Sequence, residues 1–531
     1  MVPRTTGADH AMQRRRNAGR KMRVLHLAAA LPIAALAPSH GRAQEIVQVE
    51  GGRLAGVGGA VRTFLGIPYA APPVGRLRWR PPQPAEPWDG VRDAKAFGPD
   101  CHQPEYYPEL RGPRQSEDCL SLNVWTPAKA GEALHPVMVW IYGGAFTTGS
   151  GSHPSYDGTE FAKRGVVLVT LNYRLGLLGF MAHPALTAES PEHASGNYGV
   201  LDQIAALRWV RRNIAAFGGN PDNVTVFGQS AGAMTTEAML VSPLAHRLFD
   251  RAILQSVGAL RPSLTLAQAE ANGLSVGADL NILRGLPPEE LTERLGRGSG
   301  GDRDVSSPRP LGVVVDGYVM PSSDRTAFTD GRYSHIPLIV GSNEDEGGGM
   351  ARGAPLGTVA DYQEYMRRNF GADAPRALAQ YPAAGDADVR PQLARLFGDT
   401  QFNFGTRTML RCIAREQRQL WRYLFTRRRD DGTAAPIHGA ELQYVFGTLG
   451  ARHRGARRPY DATDSALSRT MMDAWVRFAT TGDPNGGGLP PWPTYDAASD
   501  NYLELGRTIA ARASGERPQL DFLDKFAQKP R

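Results

Sequence analysis

The stretch Val224-Thr225-Val226-Phe227-Gly228-Gln229-Ser230-Ala231-Gly232-Ala233-Met234-Thr235-Thr236-Glu237-Ala238-Met239-Leu240 decides the fold. It opens on an apolar, β-branched run suited to a strand and closes on a helix-forming run. Between the two lies G-x-S-x-G, a serine flanked by small residues. Strand, sharp turn and helix in that order form a nucleophile elbow, in which glycines relieve the crowding of a strained turn and the serine hydroxyl stands exposed. In a chain with 60 glycines the pentapeptide alone is a weak pattern, and the strand and helix around it give it weight.

Further strand-like runs flank this stretch. Residues Pro136–Tyr142 and Gly165–Leu171 are near-continuous apolar segments, as strands covered on both faces require. Between the second of these and the elbow, Ile204, Leu207, Val210, Ile214 and Phe217 recur at helical steps, and Gly218-Gly219-Asn220-Pro221 ends the pattern. Residues Arg251–Gln255, Ile336–Val340 and Trp421–Phe425 supply later strands. This alternation predicts an α/β chain with a mostly parallel sheet flanked by helices and ligands bound beyond the carboxyl ends of the strands. The segment from Leu264 to Arg309 is expected to pack as helices and loops over the catalytic face. It holds a literal G-x-G-x-x-G at Gly296–Gly301, but no strand precedes it and Asp302-Arg303-Asp304 follows, so it reads as a loop and not as a dinucleotide site.

The 531 residues suffice for one large α/β domain or two ordinary ones. The net charge of +7 sits entirely in residues 1–43, where eight Arg and Lys face Asp9 alone. The body from Gln44 onward is neutral, which removes a general electrostatic pull on nucleic acid. Behind the basic head, Val24–Ala37 is a short, Pro-interrupted apolar stretch that ends near Gly41-Arg42-Ala43, with small residues at the −3 and −1 positions of a cleavage site. Residues 1–43 therefore look like a secretory signal peptide, too short for a membrane span, with 44–531 as one domain. Met22-Arg23 makes a compact start by itself, which would leave 1–21 as an over-long gene model. The export reading points to a periplasmic or extracellular compartment. Three cysteines fit it: Cys101 and Cys119 make sense as a disulfide worth about 3 kcal/mol, less any native strain, and Cys412 reads as a buried structural thiol.

A serine hydroxyl at neutral pH needs a base, an orienting acid and donors for the developing oxyanion. The strand ending at Tyr142 runs into Gly143-Gly144-Ala145-Phe146-Thr147-Thr148-Gly149, whose backbone N–H groups can point into a cleft, and Ala231 adds the N–H after the nucleophile. The acid candidate is Glu346, just past a strand, with Glu344 and Asp345 as rivals that spacing alone does not exclude. For the base, His246, His335 and His453 lack a suitable loop. His438 follows the Trp421–Phe425 strand and a polar insertion, so the chain order becomes Ser, acid, His.

At this point the residues resemble the type-B carboxylesterases, whose relatives include cholinesterases. The resemblance rests on Gly66–Ala70, Pro72–Trp79, Ser116–Trp125, Asn197–Gly199, Leu201–Gln203, Phe217–Pro221 leading into the elbow, Trp475 with Phe478-Ala479, and Gly482–Asn485. It implies the α/β-hydrolase fold and the triad Ser230, Glu346 and His438, with Glu346 chosen because the family's acid directly precedes a glycine. It further implies oxyanion donors at Gly144, Ala145 and Ala231, a Cys101–Cys119 disulfide, and structural ion pairs Arg78–Glu117 and Arg174–Asp202. Ala145 stands where the family has a third glycine, and its methyl disfavours positive φ. Ser121 replaces an aromatic residue or Thr, and Val257 replaces a glycine. The Cys101–Cys119 loop has Tyr106 and Tyr107 but no tryptophan to stack a quaternary ammonium, which disfavours choline esters. The expected activity is ester hydrolysis on a small-molecule substrate, without metal or organic cofactor and without a nucleic-acid partner. A non-catalytic adhesion or binding protein on the same fold, or a lipase with interfacial activation, is the competing reading.

Overall fold

The apolar runs named above are strands that lie side by side in one sheet. The computed structural model describes residues 44–104, 114–127, 133–294, 309–429, 434–450 and 459–527. The basic head, Tyr106, Tyr107, His453 and the Gly296–Gly301 loop lie outside the described residues.

One edge of the sheet is antiparallel: β1 (Gln44–Val49), β2 (Gly52–Val57) and β3 (Arg62–Pro68), with the short β4 (Val91–Asp93) beside β2. This edge joins through β5 (Ser121–Thr126) to the parallel body. The body opens with β6 (His135–Ile141), β7 (Val167–Leu171), β8 (Gly219–Gln229) and β9 (Arg251–Gln255). A separate pair of two-residue strands, β10 (Leu264–Thr265) and β11 (Val314–Val315), lies outside the main sheet. Back in the main sheet come β12 (Leu338–Asn343), β13 (Leu420–Phe425), β14 (Tyr502–Leu505) and an antiparallel final strand, β15 (Ile509–Arg512).

The parallel strands stand in the order β7-β6-β8-β9-β12-β13-β14. Helices cover both faces, so β7 is buried at every position and β6 from Val137 onward. The chain leaves β6 toward β7 and returns on β6's other side as β8. That reversal opens a crevice beyond the carboxyl ends of β6 and β8, where ligands bind in such sheets. Ser230 is the first residue past β8.

The periodic run before β8 is a helix over Tyr198–Asn213 continued by a 3-10 turn over Ile214–Phe217, and Gly218 closes it at φ 82°. The strand then begins at Gly219, earlier than the apolar run at Val224 suggests. Its register with β6 shifts between His135 and Val137, so Gly219–Asn223 extend the strand through an irregularity that hydrophobicity does not mark. The Leu264–Arg309 segment forms helices over Leu266–Val276, Leu280–Gly285 and Pro288–Arg294. The Val359–Phe370, Ala374–Gln380 and Asp386–Gly398 helices carry a core of their own, in which Leu393, Leu396 and Phe397 pack with Leu520 and Leu523 of the last helix.

Cys101 and Cys119 are joined by a disulfide, and Cys412 is a buried free thiol. Arg78 grips Glu117 with bonds of 2.7 and 2.5 Å, and the buried Arg174 grips Asp202 with bonds of 2.8 and 2.6 Å. Planar guanidinium and planar carboxylate match in both pairs, which fixes the loops they join. Among the described residues no helix is long and apolar enough to cross a membrane.

Candidate active site

The elbow is built on contacts that only glycine allows. A Cβ at Gly232 would lie 2.1 Å from the Ile141 carbonyl oxygen, and one at Gly228 would lie 2.7 Å from backbone atoms of Gly232. The start of the helix Ala231–Val241 is thereby pressed against the end of β6. Ser230 pays for this closeness with a backbone at φ 56° and ψ −124°, a region costing of order 1–3 kcal/mol for a residue with a side chain. Its N–H donates to the Gln255 carbonyl at 2.9 Å, which ties the strained residue to β9.

The loop after β6 faces the serine. A Cβ on Gly143 would lie 2.8 Å from the Ser230 Cβ. Gly144, Ala145 and Phe146 all have positive φ, at 127°, 54° and 65°. Ala145 thus adopts the conformation its methyl disfavours. The loop is held by its neighbours: Thr147 and Thr148 N–H donate to the Gly144 carbonyl, and Gly176 N–H donates to that of Phe146. Beside the disulfide, Gln103 clamps Gly149 by accepting from its N–H and donating to its carbonyl, both at 3.0 Å. None of these bonds uses the N–H of Gly144 or Ala145.

On the other side of the elbow, the His438 Nδ1 lies 2.6 Å from Glu346 Oε2. Glu346 is buried, and its Oε1 accepts from the Asn343 N–H and the Ser256 hydroxyl, each at 2.6 Å. The rivals turn elsewhere. Glu344 pairs with Arg428 at the surface, and the Asp345 carboxyl lies against Gly348, where a Cβ would meet its Oδ2 at 2.0 Å. The ring of Phe402 packs on the imidazole with centroids 4.6 Å apart. The remaining imidazole nitrogen, Nε2, accepts from the side-chain amide of Gln229 at 3.0 Å. Among the described residues no hydrogen bond joins Ser230 Oγ to His438, so the residue next to the serine occupies the nitrogen that a serine proton would need. His246 and His335 lie away from this cluster, the latter stacked on Tyr333.

Beneath these groups lies a second buried carboxyl, Glu441. It accepts from Gln255 Nε2 at 3.1 Å and from Asn343 Nδ2 at 2.6 Å. Burial raises its pKa above the usual carboxylate range, and the nearby Glu346 charge adds to the effect. Asn343 thus serves both carboxyls, one through its backbone and one through its side chain. Gln229, Ser256, Asn343, Phe402 and Glu441 are absent from the sequence-level candidates. Only Glu441 carried a local cue, its place three residues after His438.

A mostly parallel α/β sheet with a serine elbow at its switch point, and with a histidine–glutamate pair beside it, defines an α/β-hydrolase. The sequence comparisons refine this. The model of the carboxylesterase family matches residues 43–523. Fumonisin B1 esterase of Sphingopyxis macrogoltabida is 46% identical over 474 residues, covering 88% of this chain and 87% of that protein. Para-nitrobenzyl esterase of Bacillus subtilis (strain 168) is 37% identical, with 88% of this chain and 95% of that protein aligned. Cholinesterase of Mus musculus is 33% identical, with 92% and 88% aligned. The chain belongs to the carboxylesterase family, and it is a carboxylic ester hydrolase.

Proposed function

We propose that this ester hydrolase works through a covalent acyl-enzyme, with Ser230 as nucleophile, His438 as general base and then general acid, and Glu346 as the residue that orients the imidazole. The observation that carries the reading is the imidazole held between the buried Glu346 and the Gln229–Ser230 elbow. When an ester carbonyl enters, the Ser230 hydroxyl takes the place of the Gln229 amide at Nε2, since such bonds tighten in the substrate complex. Nε2 removes the hydroxyl proton as Oγ bonds to the carbonyl carbon. The oxyanion is received by the N–H groups of Gly144, Ala145 and Ala231. The carbon–oxygen bond to the alcohol then breaks, and the imidazolium returns the proton to the departing alkoxide. Water, deprotonated by the same nitrogen, cleaves the acyl-enzyme and releases the acid.

Residues 1–43 act in this reading as a signal peptide and 44–531 as one exported domain, in keeping with the Cys101–Cys119 disulfide.

Ser230→Ala tests the assignment. Ester turnover should fall by about 10⁶-fold in a protein that still folds, and a fluorophosphonate probe should label wild type on the peptide holding Ser230. Labelling of another residue, or turnover above trace level in the variant, refutes it.

A further inference from the structure

Gly144, Ala145 and Phe146 have positive φ in succession, and two of the three carry side chains. Such a backbone persists only where its surroundings hold it, because a side chain crowds the main chain in that region. Inside the loop, the Thr147 and Thr148 N–H groups donate to the Gly144 carbonyl at 3.0 Å, and both threonine hydroxyls reach the same oxygen at 3.2 and 3.3 Å. These bonds fix the shape of the turn, not its placement relative to Ser230. Placement is set from outside, by one bond from the Gly176 N–H to the Phe146 carbonyl and by the two that Gln103 makes to Gly149.

Gln103 is buried, and its amide meets both backbone groups of Gly149 as a neighbouring strand would. A side-chain amide suits this task because it carries donor and acceptor together; a carboxylate has no donor and an ammonium no acceptor. Its Nε2 also donates to the Cys101 carbonyl at 3.2 Å, and its backbone N–H donates to Gln115 Oε1 at 3.2 Å. The clamp is thus mounted on the segment that the Cys101–Cys119 disulfide anchors. Gly149 in turn lies against the start of the loop. A Cβ on it would come 2.7 Å from the Gly143 carbonyl oxygen, and one on Gly144 would come 2.1 Å from that of Thr148. With the two ends this close, a shift of Gly149 is carried straight into Gly143 and Gly144.

Resting on the acyl-enzyme reading above, in which Gly144, Ala145 and Ala231 receive the oxyanion, we infer that Gln103 is a positioning residue of that hole. It acts through Gly149. With both backbone groups of that glycine engaged, the Gly144 and Ala145 N–H groups stay aimed at the point where charge develops in the transition state. A ground-state carbonyl makes little use of that aim, so the effect falls on turnover more than on binding.

The test is Gln103→Met, which keeps the length of the side chain and removes both bonds; the Ser150 hydroxyl still donates to Asp100 and joins the same segments. On a p-nitrophenyl ester, kcat per active site, counted by fluorophosphonate labelling, should fall by roughly tenfold to a hundredfold with KM little changed, as for donors that are present but misplaced. A trifluoromethyl ketone adds to a nucleophilic serine as a tetrahedral oxyanion, and its Ki should rise by the same factor. Gln103→Glu keeps the acceptor and regains a donor only when protonated, so its deficit against wild type should widen from about pH 6 to about pH 9. Unchanged kcat per labelled site in Gln103→Met overturns the inference, including the case in which stability alone suffers and fewer sites are labelled. So does a ketone Ki that fails to follow kcat, or a deficit in Gln103→Glu that is flat with pH. Failure of the ketone to inhibit wild type, or labelling away from Ser230, strikes the acyl-enzyme reading itself.

Discussion

The two nitrogens of His438 sit in contrasting surroundings. Nδ1 meets a buried carboxylate whose two oxygens are committed to three donors, from His438, Ser256 and Asn343. Nε2 meets a single neutral amide on the open side, and the imidazole as a whole is 27% exposed there. One side is a fixed mount and the other an exchangeable contact. A base that must receive a proton and return it twice per turnover needs both: an orientation that does not drift and a lone pair that a substrate complex can claim.

This contrast can be broken most severely at the fixed side. Glu346→Gln keeps the shape of the mount but loses the charge that stabilises an imidazolium, and kcat should fall by about 10⁴-fold; steady-state kinetics on a p-nitrophenyl ester reads this directly. Ser256→Ala removes one donor to Glu346 and leaves the others. It should lower kcat by about tenfold with little change in KM, the loss of one charge-assisted hydrogen bond.

On the exchangeable side the effect is a displacement more than a loss. Gln229→Glu puts a carboxylate where the amide stands, which favours the protonated imidazole. The acid limb of the pH–rate profile should then move upward by about one unit, while Gln229→Ala should lower the rate only a few-fold without that movement. An unmoved limb in Gln229→Glu would mean the amide has no hold on Nε2.

The smallest effect concerns stability. Glu441 holds its proton more tightly folded than unfolded. Its contribution is full below the ordinary carboxylate range and is lost as pH rises through the folded-state value. Glu441→Gln should flatten that decline, seen as a urea midpoint less sensitive to rising pH than in wild type.

What the sequence made legible follows the same division. The elbow, its two glycines and the Gly143–Gly149 loop are contiguous words, each next to a strand that announces itself by hydrophobicity. Glu346 and His438 were reached through chain order and family resemblance, because nothing local tells Glu346 from Glu344 or Asp345; the structure separates them by burial and direction. Gln229 was read merely as the variable letter of the pentapeptide, since its contact with His438 spans 209 residues. Phe402 was illegible for a further reason. It lies in a π-helical turn, Asp399–Asn403, whose altered hydrogen-bond pattern leaves no mark in hydrophobic periodicity.

The overlap that any atom beyond hydrogen would suffer at Gly232 has a practical corollary. Neither the floor of the site nor its approach from β6 has a spare ångström, so a change of diet for this enzyme has to be written on other walls. Engineers seeking a new ester should spend their libraries away from β6 and leave the pentapeptide as it stands.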